Sequence, residues 1–103
     1  MNTIENNILL AEFMQPSFNG FGTYDFDGQL LTKEYLKFHS DWNWLMQVVE
    51  KIESLGVVVE VRENVCYIEE TSKEYFSELE VTKILATYKA CVHFVKCYNE
   101  QNK

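Results

Sequence analysis

The chain has 103 residues, 47% hydrophobic and 15% aromatic, with four glycines and one proline. That is the size of one domain with its own core, and it excludes a disordered, collagen-like or linker chain. The net charge is −7 with one arginine in all, which excludes general gripping of nucleic acid or anionic membrane by clustered cations.

Asn2 or Thr3 can cap a first helix, in which Ile4, Ile8, Leu9, Ala11 and Phe13 give a broad apolar side. Pro16 and the stretch Asn19-Gly20-Phe21-Gly22 end it. Thr23–Phe26 and Gln29–Thr32 then flank Asp27-Gly28, a two-residue turn whose positive-φ positions favour a hairpin. Tyr35, Leu36 and Phe38 read as a further short strand.

Ser40 opens the most legible element. From Trp42, apolar residues recur at Leu45, Val48, Val49, Ile52 and Leu55, which is helical spacing with a wide buried face. Gly56 occupies the place of a left-handed C-terminal cap. Val57–Arg62 and Val65–Glu70 flank Glu63-Asn64 as a second hairpin. Glu70–Glu80 is acidic, with Tyr75 and Phe76 as anchors. Ser77 and Glu80 form a capping-box pattern that predicts the start of the last helix. In that helix Ile84, Tyr88, Cys91, Val95 and Tyr98 make the apolar stripe, widened by Leu85 and Val92. Lys89, His93, Lys96 and Glu100 lie opposite.

This order predicts a single α+β domain over residues 1–103. It has two layers, an antiparallel sheet of hairpins with about three helices packed on one face. A mostly helical domain with one hairpin, or a dimer sharing its sheet, are the alternatives. No apolar run approaches the ~20 residues of a membrane span.

Three stretches, Ile8–Met14, Phe38–Glu53 (with the run His39-Ser40-Asp41-Trp42-Asn43-Trp44-Leu45-Met46) and Ala86–Glu100, together resemble a group of short uncharacterised proteins of bacteria and their phages. The resemblance covers somewhat over a third of the chain and is most specific in the Trp-rich part. That group often carries Pro at the position of Gln47 and Trp at that of Cys97. The resemblance thus implies a kink or helix start near residue 46, with Ser40–Met46 as a separate turn. It brings no activity, so no residue role follows from it.

Several constellations name chemistry without supplying its geometry. Thr23, Asp25, Asp27, Gly28, Leu30 and Glu34 fall on a calcium-loop template, but Thr23 stands where Asp belongs and glycines replace the entering helix. Asp25 and Asp27 share one face of a strand, as a carboxylate pair would, yet serve equally as turn residues. His93 and Cys97 lie four apart, but a zinc site needs two more ligands, and Glu100, His39 or Cys66 would have to converge. A Cys–His nucleophile pair needs a lowered thiol pKa. Cys91 and Cys97 sit near a helix C-terminus and Cys66 in an acidic hairpin, which both oppose it. His39, Ser40 and Asp41 name triad residue types, but adjacency is not triad geometry, and Ser40 and Asp41 suit helix capping. No metal, cofactor or catalytic residue is assigned.

Three cysteines without a CxxC pair, and Glu5 where a secretory signal carries Lys or Arg, lead us to expect a reduced cytoplasmic setting. Tyr35, Phe38, Trp42, Trp44 and Met46 crowd one helix entry, and form the candidate partner surface because large amphipathic rings anchor interfaces. Residues 60–80 hold seven acids against Arg62 and Lys73, so Glu63, Glu69, Glu70 and Glu74 form an alternative acidic surface. The expected function is a non-catalytic domain that binds a protein partner or itself, with no direct nucleic acid and no membrane. The alternatives are an acidic inhibitor or nucleic-acid mimic that occupies a basic groove, and a small metal protein or enzyme.

Overall fold

The computed structural model describes residues 3–14, 23–26, 29–32, 35–69, 74–76 and 80–101. They form helix α1 (Thr3–Met14), strands β1 (Thr23–Phe26) and β2 (Gln29–Thr32), helix α2 (Trp42–Ser54), strands β3 (Val58–Arg62), β4 (Val65–Glu69) and β5 (Glu74–Phe76), and helix α3 (Lys83–Gln101). This is an α+β fold, with every strand pair antiparallel.

The expected single sheet is instead two. Among the described residues, strands β1 and β2 pair only with each other, whereas β3, β4 and β5 form a three-stranded sheet with β4 in the middle. Phe26 pairs with Gln29 around the Asp27-Gly28 step, which is the register of a two-residue hairpin. The calcium-template positions in β1 and β2 are therefore spread along two paired strands and do not coil around one point. Asp27, Gly28 and Glu34 lie outside the described residues. In the second hairpin Arg62 pairs with Val65 around Glu63-Asn64, and Glu63 takes a left-handed φ of +49°.

Alternation sorts the larger sheet. Cys66 and Ile68 are fully buried, and their partners Val61 and Val59 share that inner face, while Val58, Glu60, Arg62 and Glu69 point outward. Helices α2 and α3 pack on this sheet, and α1 packs on α3 and α2. Because α3 has β4 and β5 on one side and α1 and α2 on the other, it is buried around most of its girth. Its buried residues are Ala86, Thr87, Tyr88, Ala90, Cys91, Val92, Phe94 and Val95. The expected stripe missed Phe94 because it assumed one covered face, and this helix has two. Of the opposite stripe, His93, Lys96 and Glu100 are exposed, while Lys89 is half-buried and pairs with Glu80 at 2.7 Å.

Element ends differ from expectation in three places. The run Tyr35–Phe38 is not a strand; it leads into a turn in which the Lys37 carbonyl accepts from Ser40 N and Asp41 N, with Leu36 and Phe38 buried. Helix α2 runs without a break from Trp42 to Ser54, so no separate turn spans Ser40–Met46. Asp41 is its N-cap, accepting from Asn43 N at 2.9 Å, and Gly56 at φ +87° closes it as expected. The last helix starts at Lys83, not at Ser77. Thr82 accepts from Leu85 N at 3.2 Å as its cap, and the chain before it pairs with β4 as β5. A strand in that acidic stretch was not foreseen.

Helix α1 buries Ala11 and Phe13 and packs Ile8 and Leu9 against the core as expected, but its covered face is wider and takes in two polar side chains. Asn6 and Asn7 are buried, whereas Ile4 is exposed and Ile8 and Leu9 are half-buried. A polar tie from Asn7 to Leu36, His39 and Tyr88 accounts for the burial of Asn7. The Leu36 carbonyl can only accept, so the Asn7 amide nitrogen faces it at 3.0 Å. The same nitrogen lies 2.9 Å from His39 Nδ1, which must then accept, placing the imidazole proton on Nε2. The Asn7 carbonyl oxygen receives the Tyr88 hydroxyl.

Candidate partner surface at the start of α2

Five aromatic or sulfur side chains enter this region, and the turn at Lys37–Asp41 divides them. Phe38 is fully buried and Trp44 is 9% exposed; their rings meet edge to face with centroids 5.3 Å apart. Tyr35 is 64% exposed, and Trp42 and Met46 are each 38% exposed. Of the five expected surface residues, two are core and three face solvent.

Helical geometry explains the division. At about 100° per residue, Trp44, Val48, Ile52, Leu45 and Val49 sweep one continuous arc of α2, and all five are buried. Trp42 and Met46 are one turn apart, so they stack on one stripe just past Val49 and outside that arc. Leu55, read as the last core position, is 44% exposed because the helix has ended. Polar neighbours Asn43, Glu50 and Glu53 are exposed around the Trp42–Met46 pair.

The alternative acidic surface is less concentrated. Glu63 sits in the β3–β4 turn and Glu69 at the far end of β4, with five strand residues between the turn and that end, a span of roughly 15 Å. Glu69 and Glu74 are paired in register across β4 and β5, and Glu70 lies outside the described residues. Glu60 is drawn to Arg62 on the same strand. The glutamates therefore run along the sheet instead of forming one cluster.

The thiols are free, with Cys66 and Cys91 buried and Cys97 half-buried. Burial pushes the Cys66 thiol up to about 11 against a partial pull from its Thr87 hydrogen bond, and pushes Cys91 well above its ordinary value with help from Cys66 nearby. A thiolate nucleophile needs the opposite shift. His93 is exposed on α3, away from these buried thiols. Among the described residues, no three His, Cys, Asp or Glu side chains are grouped to hold a metal ion, and no helix is long and apolar enough to cross a membrane.

Comparison with protein-family models, with curated proteins and with solved structures found no match. The reading of function therefore rests on the site itself.

Proposed function

We propose that this chain is a small non-catalytic interaction domain of the bacterial or phage cytoplasm. It binds a protein partner through Tyr35, Trp42 and Met46. The observation that carries this reading is the Trp42–Met46 pair: two large apolar side chains share one exposed helix stripe, beside the arc on which the same helix buries five others. Exposed tryptophan is costly to leave in water, and it is among the residues most enriched in interface hot spots. The rim of Asn43, Glu50 and Glu53 has the polar character of an interface edge.

The test compares the native chain with the double variant Trp42→Ser, Met46→Ser in quantitative affinity capture from nuclease-treated lysate. A stoichiometric partner retained by the native chain and lost by the variant supports the reading. Identical capture by both sinks it. Capture that instead fails on charge reversal at Glu63 and Glu69 moves the interface to the sheet.

A further inference from the structure

Among the described residues, the carbonyls of the last turn of α1 have no helical N–H to accept from. Lys51, in the third turn of α2, supplies one: its ammonium donates to the Phe13 carbonyl and lies 4.9 Å from the centroid of the Phe13 ring. That ring meets Tyr98 of α3 edge-on, with centroids 5.6 Å apart. Around these contacts the three helices leave a cleft of about 230 Å³ lined by Glu12, Phe13, Lys51, Tyr98 and Asn99.

Among the described residues, the lining holds one cation and one anion that do not pair. The Lys51 ammonium is drawn to the Phe13 carbonyl, and Glu12 has no ion-pair partner among the described residues. Lys51 uses one of its three N–H donors there, so two remain for another acceptor. A simple anion would gain Lys51 but meet Glu12 and a chain of net charge −7. A simple cation would gain Glu12 but meet Lys51. A molecule that carries both charges meets neither repulsion, and the two aromatic rings offer its apolar part a surface. The volume is below the roughly 300–1,000 Å³ of pockets for drug-sized ligands. It suits a single amino acid and not a nucleotide.

We propose that this cleft binds a free α-amino acid with an apolar side chain. Its carboxylate sits on the Lys51 ammonium, its ammonium on the Glu12 carboxylate, and its side chain against Phe13 and Tyr98. The site is independent of the partner surface, because Lys51 lies nine residues after Trp42, about half a turn around α2.

The experiment is a heteronuclear NMR titration of the full chain with L-leucine, with 4-methylpentanoate, which lacks the ammonium, and with 3-methylbutylamine, which lacks the carboxylate. Leucine produces saturable shifts centred on the amides of Glu12, Phe13, Lys51, Tyr98 and Asn99, and each analogue binds at least about tenfold more weakly. Glu12→Gln, at an exposed position, keeps the spectrum of the folded chain and weakens leucine about tenfold, while 4-methylpentanoate binds as well or better. No saturable shift at the solubility limit of leucine overturns the proposal. So does equal binding of all three compounds, an unchanged leucine affinity in Glu12→Gln, or shifts centred elsewhere.

Discussion

The Tyr88 hydroxyl donates to the side-chain carbonyl of Asn7 across 3.0 Å, joining α3 to α1 over 81 positions of sequence. Asn7 is a buried hub, since its amide nitrogen also serves the Leu36 carbonyl and His39 Nδ1. Removing one partner of a buried polar pair strands the other, which costs more than the bond contributes net. Asn7→Ala strands the Leu36 carbonyl and opens a small void, so it should cost about 2–4 kcal/mol. Tyr88→Phe strands the Asn7 oxygen and gives up a longer contact to the Thr3 carbonyl, and should cost about 1–2 kcal/mol. Urea unfolding with an unchanged slope measures both. An Asn7→Ala midpoint equal to that of the native chain would refute the hub.

The buried thiols and phenol make the fold sensitive to base. Burial raises Cys66 from 9.0 to about 11 and Tyr88 from 10.0 to about 12, and drives Cys91 upward as well. The folded chain therefore keeps protons that the unfolded chain has already released. Stability from these groups is full below about pH 9 and is lost as pH rises, from 9 to 11 for Cys66 and from 10 to 12 for Tyr88. The urea midpoint should fall steadily above pH 9, and the slope should flatten in the double variant Cys66→Ala, Cys91→Ala. With a thiol reagent near neutral pH, Cys97 should react first and the other two only on unfolding. Prompt modification of all three would contradict the burial.

How far the sequence could be read depended on how many sides of each element are covered. Helix α2 has one covered face, so its periodicity and its Gly56 exit were legible, while its entry at Asp41 was left open between Ser40 and residue 46. Helix α3 is covered on two sides, and an amphipathic template had no place for Phe94, Ala86 or Ala90. The apolar side of α1 was legible except at Ile4, but burial of Asn7 was not, because it depends on Leu36, His39 and Tyr88, which lie 29, 32 and 81 positions away. Strand β5 is three residues long and owes its form to pairing with β4, which local propensity does not encode. The cleft at Lys51 was invisible for the same reason. Its lining comes from three helices, and nothing in the spacing of Glu12, Lys51 and Tyr98 announces their meeting.

Two turn positions should respond to substitution with opposite signs. Glu63 holds φ +49° and Gly56 φ +87°, both in the left-handed region. A side chain there is strained by about 1–2 kcal/mol. Glu63→Gly relieves that strain but loosens the unfolded chain, leaving a gain of up to about 1 kcal/mol. Gly56→Ala adds the strain and should cost about 1 kcal/mol, without a steric term, since nothing lies within 4 Å of the added carbon. Thermal unfolding of the two variants, which lie at opposite ends of β3, tests the signs independently. Destabilisation by Glu63→Gly would mean that the glutamate side chain contributes more than its backbone costs.

The division of the aromatic cluster makes the sharpest distinction between core and surface. Phe38 and Trp44 meet edge to face inside the domain, so Phe38→Ala and Trp44→Ala should each cost about 3–5 kcal/mol. Trp42→Ser and Met46→Ser remove side chains that are already partly in water, and each should stay within about 1 kcal/mol of the native chain. The two tryptophans also report separately by fluorescence. Trp44 alone, in Trp42→Phe, should emit at short wavelength and resist acrylamide, whereas Trp42 alone, in Trp44→Phe, should be quenched readily. On binding its partner, Trp42 should become protected while Trp44 keeps its emission. If Trp42 is shielded in the isolated chain and its replacement by Ser unfolds the domain, the ring belongs to the core and the interface must lie elsewhere.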